Sequence, residues 1–244
     1  ILVAALVCDA AAMTNPDTPP TTDTRLAGVI ATARTVLEQR VREINDLNVY
    51  PVADGDTGTN MLLTVQAVEK AAAGLAGTST ADRCEALARA ALRGARGNSG
   101  MILSQMVRGA ADVIADAPLI DGPTIAEALR NASDTAYNAV PNPVEGTMLT
   151  VIRGLADGAE SADSGTVEAV LTAALVQGKI TLEATIDMLP ELTEAGVVDS
   201  GAYGVLSIVE GLAAGIAGHD VGPSIEISAP AVIETEHEPS QFRF

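Results

Sequence analysis

The chain has 244 residues, the length of one domain or two small ones; 48% are apolar but only 2% aromatic, and 32 acidic residues outweigh 14 basic ones for a formal net charge of −18. That charge argues against nucleic acid or an anionic membrane face as direct partners. A core without Trp has to be built from Ala, Leu, Val and Ile, which favours close-packed helices, and with Lys70 and Lys179 as the only lysines there is no G-x-x-x-x-G-K-[ST] phosphate loop.

Residues 1–12 look superficially like a signal sequence but lack a basic start and are too short to span a bilayer. With the Pro/Thr/Asp stretch that follows, they read as a disordered leader over 1–23. Cys8 and Cys84 make no disulfide framework; Cys84 falls on an apolar helix face as a small hydrophobe, which fits a reducing, cytoplasmic setting. No integral membrane segment is expected.

From Leu26 the pattern turns helical. Leu26, Val29, Ile30, Ala33, Leu37, Val41 and Ile44 recur every three or four residues, with Arg and Glu on the other face. A second helix is predicted over about 60–73. A third follows Ser79 with Cys84, Leu87, Ala88, Ala91 and Leu92 inward, and a fourth starts near Ser99. The fifth follows Pro123, where Thr124 and Glu127 have capping-box spacing. The sixth follows Glu145-Gly146. The seventh covers about 166–183, before a short segment broken at Pro190, and the eighth follows Asp199-Ser200-Gly201. Strand-like alternation occurs only weakly, at 224–228. Eight helices with short polar links predict an all-α, up-and-down antiparallel bundle over 24–218. Residues 219–244, Pro- and Glu-rich with His219 and His237, read as a linker toward a further domain.

Four of the connecting loops are unusual. In Asn48-Val-Tyr-Pro-Val-Ala-Asp54-Gly-Asp56-Thr57-Gly58-Thr59-Asn60, two carboxylates sit one residue apart on a glycine-broken turn. Like charges held that close call for a cation, and hard oxygen donors suit Mg²⁺; a solvated turn with a good N-cap is the plainer alternative. Gly94-Ala-Arg-Gly97-Asn98-Ser99-Gly100 leads into a helix with three glycines at i, i+3 and i+6, so a ligand could approach the backbone closely. Pro143-Val-Glu145-Gly146-Thr147-Met148 and Gly196-Val-Val-Asp199-Ser200-Gly201 complete the set, with Asp199 also readable as a simple N-cap. Arg93 and Arg96 flank the glycine loop, either as phosphate contacts or as an exposed basic turn. These loops precede helices two, four, six and eight. In an alternating array they would meet at one end and form a single nucleotide site.

These four motifs, in this order, resemble the N-terminal ATP-binding domain of the bacterial fatty acid kinases, which is itself similar to the nucleotide-binding subunit of dihydroxyacetone kinase. The resemblance covers roughly 25–218. It implies an eight-helix barrel that binds ATP or ADP with two Mg²⁺ ions. It further implies metal ligation by Asp54 and Asp56, which also serve as the catalytic residues. Phosphate contacts are implied from Thr57, Gly58, Thr59 and Asn60 and from Asn98, Ser99 and Gly100. Adenine contacts are implied near Ala139, Thr147 and Met148, and a last nucleotide loop at Asp199, Ser200 and Gly201. Where the dihydroxyacetone kinase subunits carry a third Asp, the nearest match is Asn48, a neutral oxygen donor to the metal. This departure favours the fatty acid kinase pattern. The implied partners are a fatty-acid-binding carrier protein and a second copy, joined through domains outside the chain. On this reading the chain by itself binds nucleotide without full turnover. A dihydroxyacetone kinase subunit and a non-catalytic nucleotide sensor are the alternatives.

Overall fold

The computed structural model describes residues 22–218. Among them there are nine α-helices, one 3-10 turn and no strand. The helices are α1 (Thr22–Asp46), α2 (Thr57–Ala72), α3 (Thr80–Gly94), α4 (Gly97–Asp116), α5 (Gly122–Ala139), α6 (Met148–Glu160), α7 (Val167–Ala184), the short α8 (Pro190–Ala195) and α9 (Ser200–Ala217). The 3-10 turn, Thr185–Asp187, joins α7 to α8. The expected linker with its two histidines, the 224–228 alternation and Cys8 lie outside the described residues. So does the expected leader, except that Thr22 and Asp23 already belong to α1.

Each long helix packs on its neighbour in sequence from α1 to α7, and α9 closes the ring by packing on α1, α6 and α7. The result is the expected all-α, up-and-down antiparallel barrel, with the short α8 as the extra segment at Pro190. Its core is aliphatic: Leu37, Ile44, Met61, Leu87, Ile114, Ile125 and Leu155 are fully buried, joined by many alanines. Inside it lies an apolar void of about 50 Å³, lined by Leu103, Met106, Ile152, Val205 and Ile208 among others.

Two helical stretches, Val167–Asp187 and Ser200–Ala217, are long and apolar enough to cross a membrane by length and composition. α9 directs that apolarity into the barrel, with 67% of its apolar window buried, whereas α7 keeps Val176 and Ile180 exposed.

Three local expectations are corrected. The charged face of α1 is not all solvated: Arg40 is only 3% exposed. Its Nη1 donates to Ser207 Oγ at 3.0 Å and pairs with Glu210 Oε2 at 2.6 Å, and its guanidinium lies 5.7 Å from the Tyr203 ring centre. Leu92 is 51% exposed, because it sits well round the helix from Cys84, Leu87 and Ala91, which do face inward. And α5 is capped by Asp121, whose carboxylate accepts from Thr124 N at 3.0 Å, so the helix starts before the capping box expected at Thr124.

Candidate functional site

The N-terminal loops of α2, α4, α6 and α9 surround one open cavity of about 590 Å³. Asn48, Asp54, Asp56, Thr57, Asn98, Ser99, Ala139, Thr147, Met148, Asp199, Ser200 and Gly201 all line it. Gly58, Thr59, Asn60 and Gly100 stand outside the lining.

The acidic loop shows how the wall is built. Asp54 and Asp56 are both exposed, on either side of Gly55 at φ +67°. The buried Asn48 donates its amide Nδ2 to Asp54 Oδ1 at 2.7 Å and so holds that carboxylate in place. Asp56 occupies the N-cap position of α2, yet its side chain makes no capping bond. Asn45, in the last turn of α1, does that work instead. Its Oδ1 accepts from Gly58 N at 2.8 Å and Thr59 N at 3.3 Å, and its Nδ2 donates to Thr59 Oγ1 at 3.0 Å. A helix start satisfied from outside leaves its own cap carboxylate free for the cavity. It also engages two of the N–H groups expected to meet a phosphate.

The second wall is the start of α4. Gly97 has φ +58°, and a Cβ there would lie 2.4 Å from Asn60 Nδ2, so Asn60 serves as backing to this turn. Ser99 Oγ reaches Thr57 Oγ1 at 3.5 Å, the outer limit of a hydrogen bond, and links the α2 and α4 loops. Arg93 and Arg96 do not line the cavity. Arg96 Nη1 donates to the carbonyls of Arg93 and Ala95, and Arg93 Nε to that of Arg89, so both side chains cap the C-terminal end of α3.

On the third side Thr147 caps α6, its Oγ1 accepting from Leu149 N at 3.3 Å and donating to Val144 O at 2.8 Å. Asp199 caps α9 through Ala202 N at 2.7 Å, and its own N–H donates to Thr185 Oγ1 at 3.1 Å. The two helix starts touch: a Cβ on Gly201 would lie 3.3 Å from Met148 Cβ.

Burial pushes the Asp199 carboxyl up to about 7, against backbone donors at Ala202, Met148 and Gly201 that favour its charged form. A carboxyl raised in this way stabilises the fold most at low pH, below its unfolded value, and that contribution is lost as pH rises through about 7. In Asp199→Asn the cap is retained without the ionisation. Between pH 5 and pH 8 the wild type should therefore lose on the order of 2 kcal/mol more stability than the variant. Urea unfolding of both proteins at the two pH values measures this difference; parallel losses would contradict it.

Sequence reasoning missed Asn45 and Thr185. Each acts from outside the loop it supports, and no local spacing pairs Asn45 with Gly58 or Thr185 with Asp199. It also missed the apolar lining from Val52, Met101, Ile102, Val140 and Val144, for which the Pro- and Val-rich stretch 140–144 was the available signal.

Chemically, two exposed carboxylates without an ion-pair partner among the described residues face an opening rimmed by four helix N-termini. No group of three or more His, Cys, Asp or Glu side chains is gathered as a metal site among the described residues. A cation here would take two protein carboxylates and complete its shell from water or substrate. Mg²⁺ accepts that arrangement, because it keeps several waters and commonly binds through one or two carboxylates plus phosphates.

The family model described as "DAK2 domain" matches residues 51–214. Protein YloV of Bacillus subtilis (strain 168) is 39% identical over 207 residues, which span 84% of this chain and 37% of YloV. An uncharacterized protein of Staphylococcus saprophyticus is 36% identical over 198 residues, 80% of this chain and 36% of that one. The chain thus spans little more than a third of the length of these relatives. Among solved structures, the dihydroxyacetone kinase from C. freundii in complex with AMP-PNP and Mg²⁺ aligns at a TM-score of 0.56 with 17% identity, covering 84% of this chain and 35% of that one. That likeness establishes the shared helical fold. With two thirds of its length matched by the family model, the chain belongs to the DAK2 domain family.

Proposed function

We propose that this domain binds Mg-ATP in the cavity at the shared end of the barrel and serves as the nucleotide-binding part of a cytoplasmic kinase. The observation that carries this is the convergence of four helix starts on two carboxylates that no cation among the described residues neutralises. Asp54, steadied by Asn48, and Asp56 hold the metal. Thr57, Asn98 and Ser99 offer donors to the phosphates beside the positive ends of α2 and α4. Ala139, Thr147 and Met148 flank the base, and Asp199, Ser200 and Gly201 close the far side. Bound Mg²⁺, one ion or two, would neutralise charge on the β- and γ-phosphates. Gly58, Thr59, Asn60 and Gly100 support this wall from behind.

For the acceptor, we propose a fatty acid carboxylate presented by a carrier protein, giving an acyl phosphate and ADP. A carboxylate is already ionised at neutral pH, so the transfer needs no general base. The barrel void of about 50 Å³ is far smaller than the roughly 150 Å³ that admits benzene, which supports presentation of the acyl chain from outside. The fold shared with the C. freundii enzyme keeps a second reading open, dihydroxyacetone as acceptor, likewise held by a partner.

The test is incubation with Mg-ATP and fatty acid, with and without the candidate carrier, scoring ADP and acyl phosphate. Acyl phosphate should form only with carrier, because in-line positioning can account for roughly 7–11 kcal/mol of such a barrier. Rapid product from chain, Mg-ATP and free fatty acid alone would overturn this division of labour. Transfer to dihydroxyacetone in place of fatty acid would favour the second reading.

A further inference from the structure

The wall of the cavity between α5 and α6 is an odd piece of chain. Residues 140–144 read Val-Pro-Asn-Pro-Val, and the two prolines bring no N–H. Among the described residues, no backbone–backbone hydrogen bond outside the helices involves residues 141–146. Yet Val140, Pro141, Asn142 and Val144 all line the cavity, next to Thr147 and Met148. A wall without a backbone ladder needs another anchor.

Glu145 supplies it. Its carboxylate accepts from Arg153 Nη1 and Nη2, at 2.8 and 2.6 Å, from Thr150 Oγ1 at 2.7 Å and from Tyr137 Oη at 3.1 Å. Arg153 also stacks over the Tyr137 ring, 5.1 Å from its centre. Thr150 Oγ1 in turn accepts from Gly146 N at 2.8 Å. Gly146 sits at φ +85°, where a Cβ would lie 2.7 Å from Met188 Cβ, so the turn is fixed on its other side as well. One carboxylate thereby ties the end of α5, the loop and the first two turns of α6 together. Burial opposes ionisation of Glu145, but the bonds from Arg153, Thr150 and Tyr137 outweigh it, and its pKa lies below the ordinary glutamate value. Neither Glu145, Arg153 nor Tyr137 lines the cavity.

We propose that Glu145, clasped by Arg153, Thr150 and Tyr137, is a positioning residue that fixes the 140–147 wall and thereby sets affinity for the base end of the nucleotide. This rests on the nucleotide reading above. Thr57, Asn98 and Ser99, proposed above for the phosphates, belong to the starts of α2 and α4 and share no hydrogen bond with this clasp among the described residues. The two ends are therefore separable: ATP uses both, whereas inorganic tripolyphosphate uses only the phosphate end.

The experiment is calorimetric titration of the full chain, as wild type, Glu145→Gln and Arg153→Met, with Mg-ATP and with Mg-tripolyphosphate. Thermal unfolding of each protein runs alongside. Losing a charged hydrogen-bonding partner should weaken ATP binding about tenfold in both variants. Tripolyphosphate affinity should stay at the wild-type value. Tyr137→Phe, which removes only the hydroxyl shared between the two Glu145 oxygens and keeps the ion pair, should move ATP affinity in the same direction by less and provides a variant with little risk to folding. Wild-type ATP affinity in all three variants overturns the proposal, and so does a parallel loss for both ligands, which is what a merely structural role would give. A wild type that binds neither ligand overturns the nucleotide reading itself, and the proposal with it.

Discussion

Asp54→Ala and Asp56→Ala should each weaken Mg-nucleotide binding by more than about a hundredfold, since even the groups that only support metal ligands are worth about 10–100-fold. Each carboxylate would be half of the protein's contribution to the cation, and no neighbouring acidic group among the described residues is gathered to replace it. The helices should hardly notice. Both side chains are exposed, Asp56 makes no cap, and the α2 N-terminus is satisfied by Asn45. Asp56→Ala should stay within about 0.5 kcal/mol, whereas Asp54→Ala also takes the acceptor from the buried Asn48 amide and should cost about 1–3 kcal/mol. Both variants should keep wild-type helix content, and Asp56→Ala its unfolding midpoint as well, while losing the ligand. Undiminished Mg-ADP binding in both would remove the metal from this loop, and a large drop in helix content would show that the carboxylates serve the fold.

The opposite pattern is expected at Arg40. Arg40→Met leaves Glu210, itself mostly buried, without its main partner, and leaves Ser207 and the Tyr203 ring without the guanidinium. Breaking a buried pair from one side costs about 3–5 kcal/mol, because a charge remains where water cannot reach it well. Lys179, 3.0 Å from the other Glu210 oxygen, is half exposed and compensates only in part. The contact joins α1 to α9, where the ring closes, so the loss should appear in the cooperative unfolding of the whole barrel. Urea denaturation measures it. Replacing Arg40 and Glu210 together by apolar residues of similar volume should cost far less than either single change. A loss below about 1 kcal/mol in Arg40→Met would mean that the pair is solvated.

The barrel was legible in the sequence because its information is local. Leu26 to Ile44 on α1 and Cys84 to Ala91 on α3 repeat at helical spacing, and the loops announce themselves with Gly, Asp and Asn. The convergence of the four loops followed from alternation alone, since in an up-and-down array every second helix starts at the same end. What stayed hidden depends on contacts between segments remote in the chain. Arg40 looks like any surface arginine until Glu210, 170 residues later, is placed beside it. Asp56 looks like an N-cap, and only the approach of Asn45 shows that the cap is supplied from another helix. Glu145 appears as one residue of a motif, while its partners Tyr137 and Arg153, eight residues away on either side, become neighbours only when α5 and α6 pack antiparallel.

Whether the cavity at the shared end of α2, α4, α6 and α9 holds a magnesium-bound nucleotide is tested most directly by titrating ADP into the full wild-type chain, with excess Mg²⁺ and again in EDTA. One site per chain that is measurable with Mg²⁺ and lost in EDTA is the outcome that follows from two unneutralised carboxylates facing four helix starts. Absence of binding in both conditions, or equal affinity with and without the metal, would contradict it.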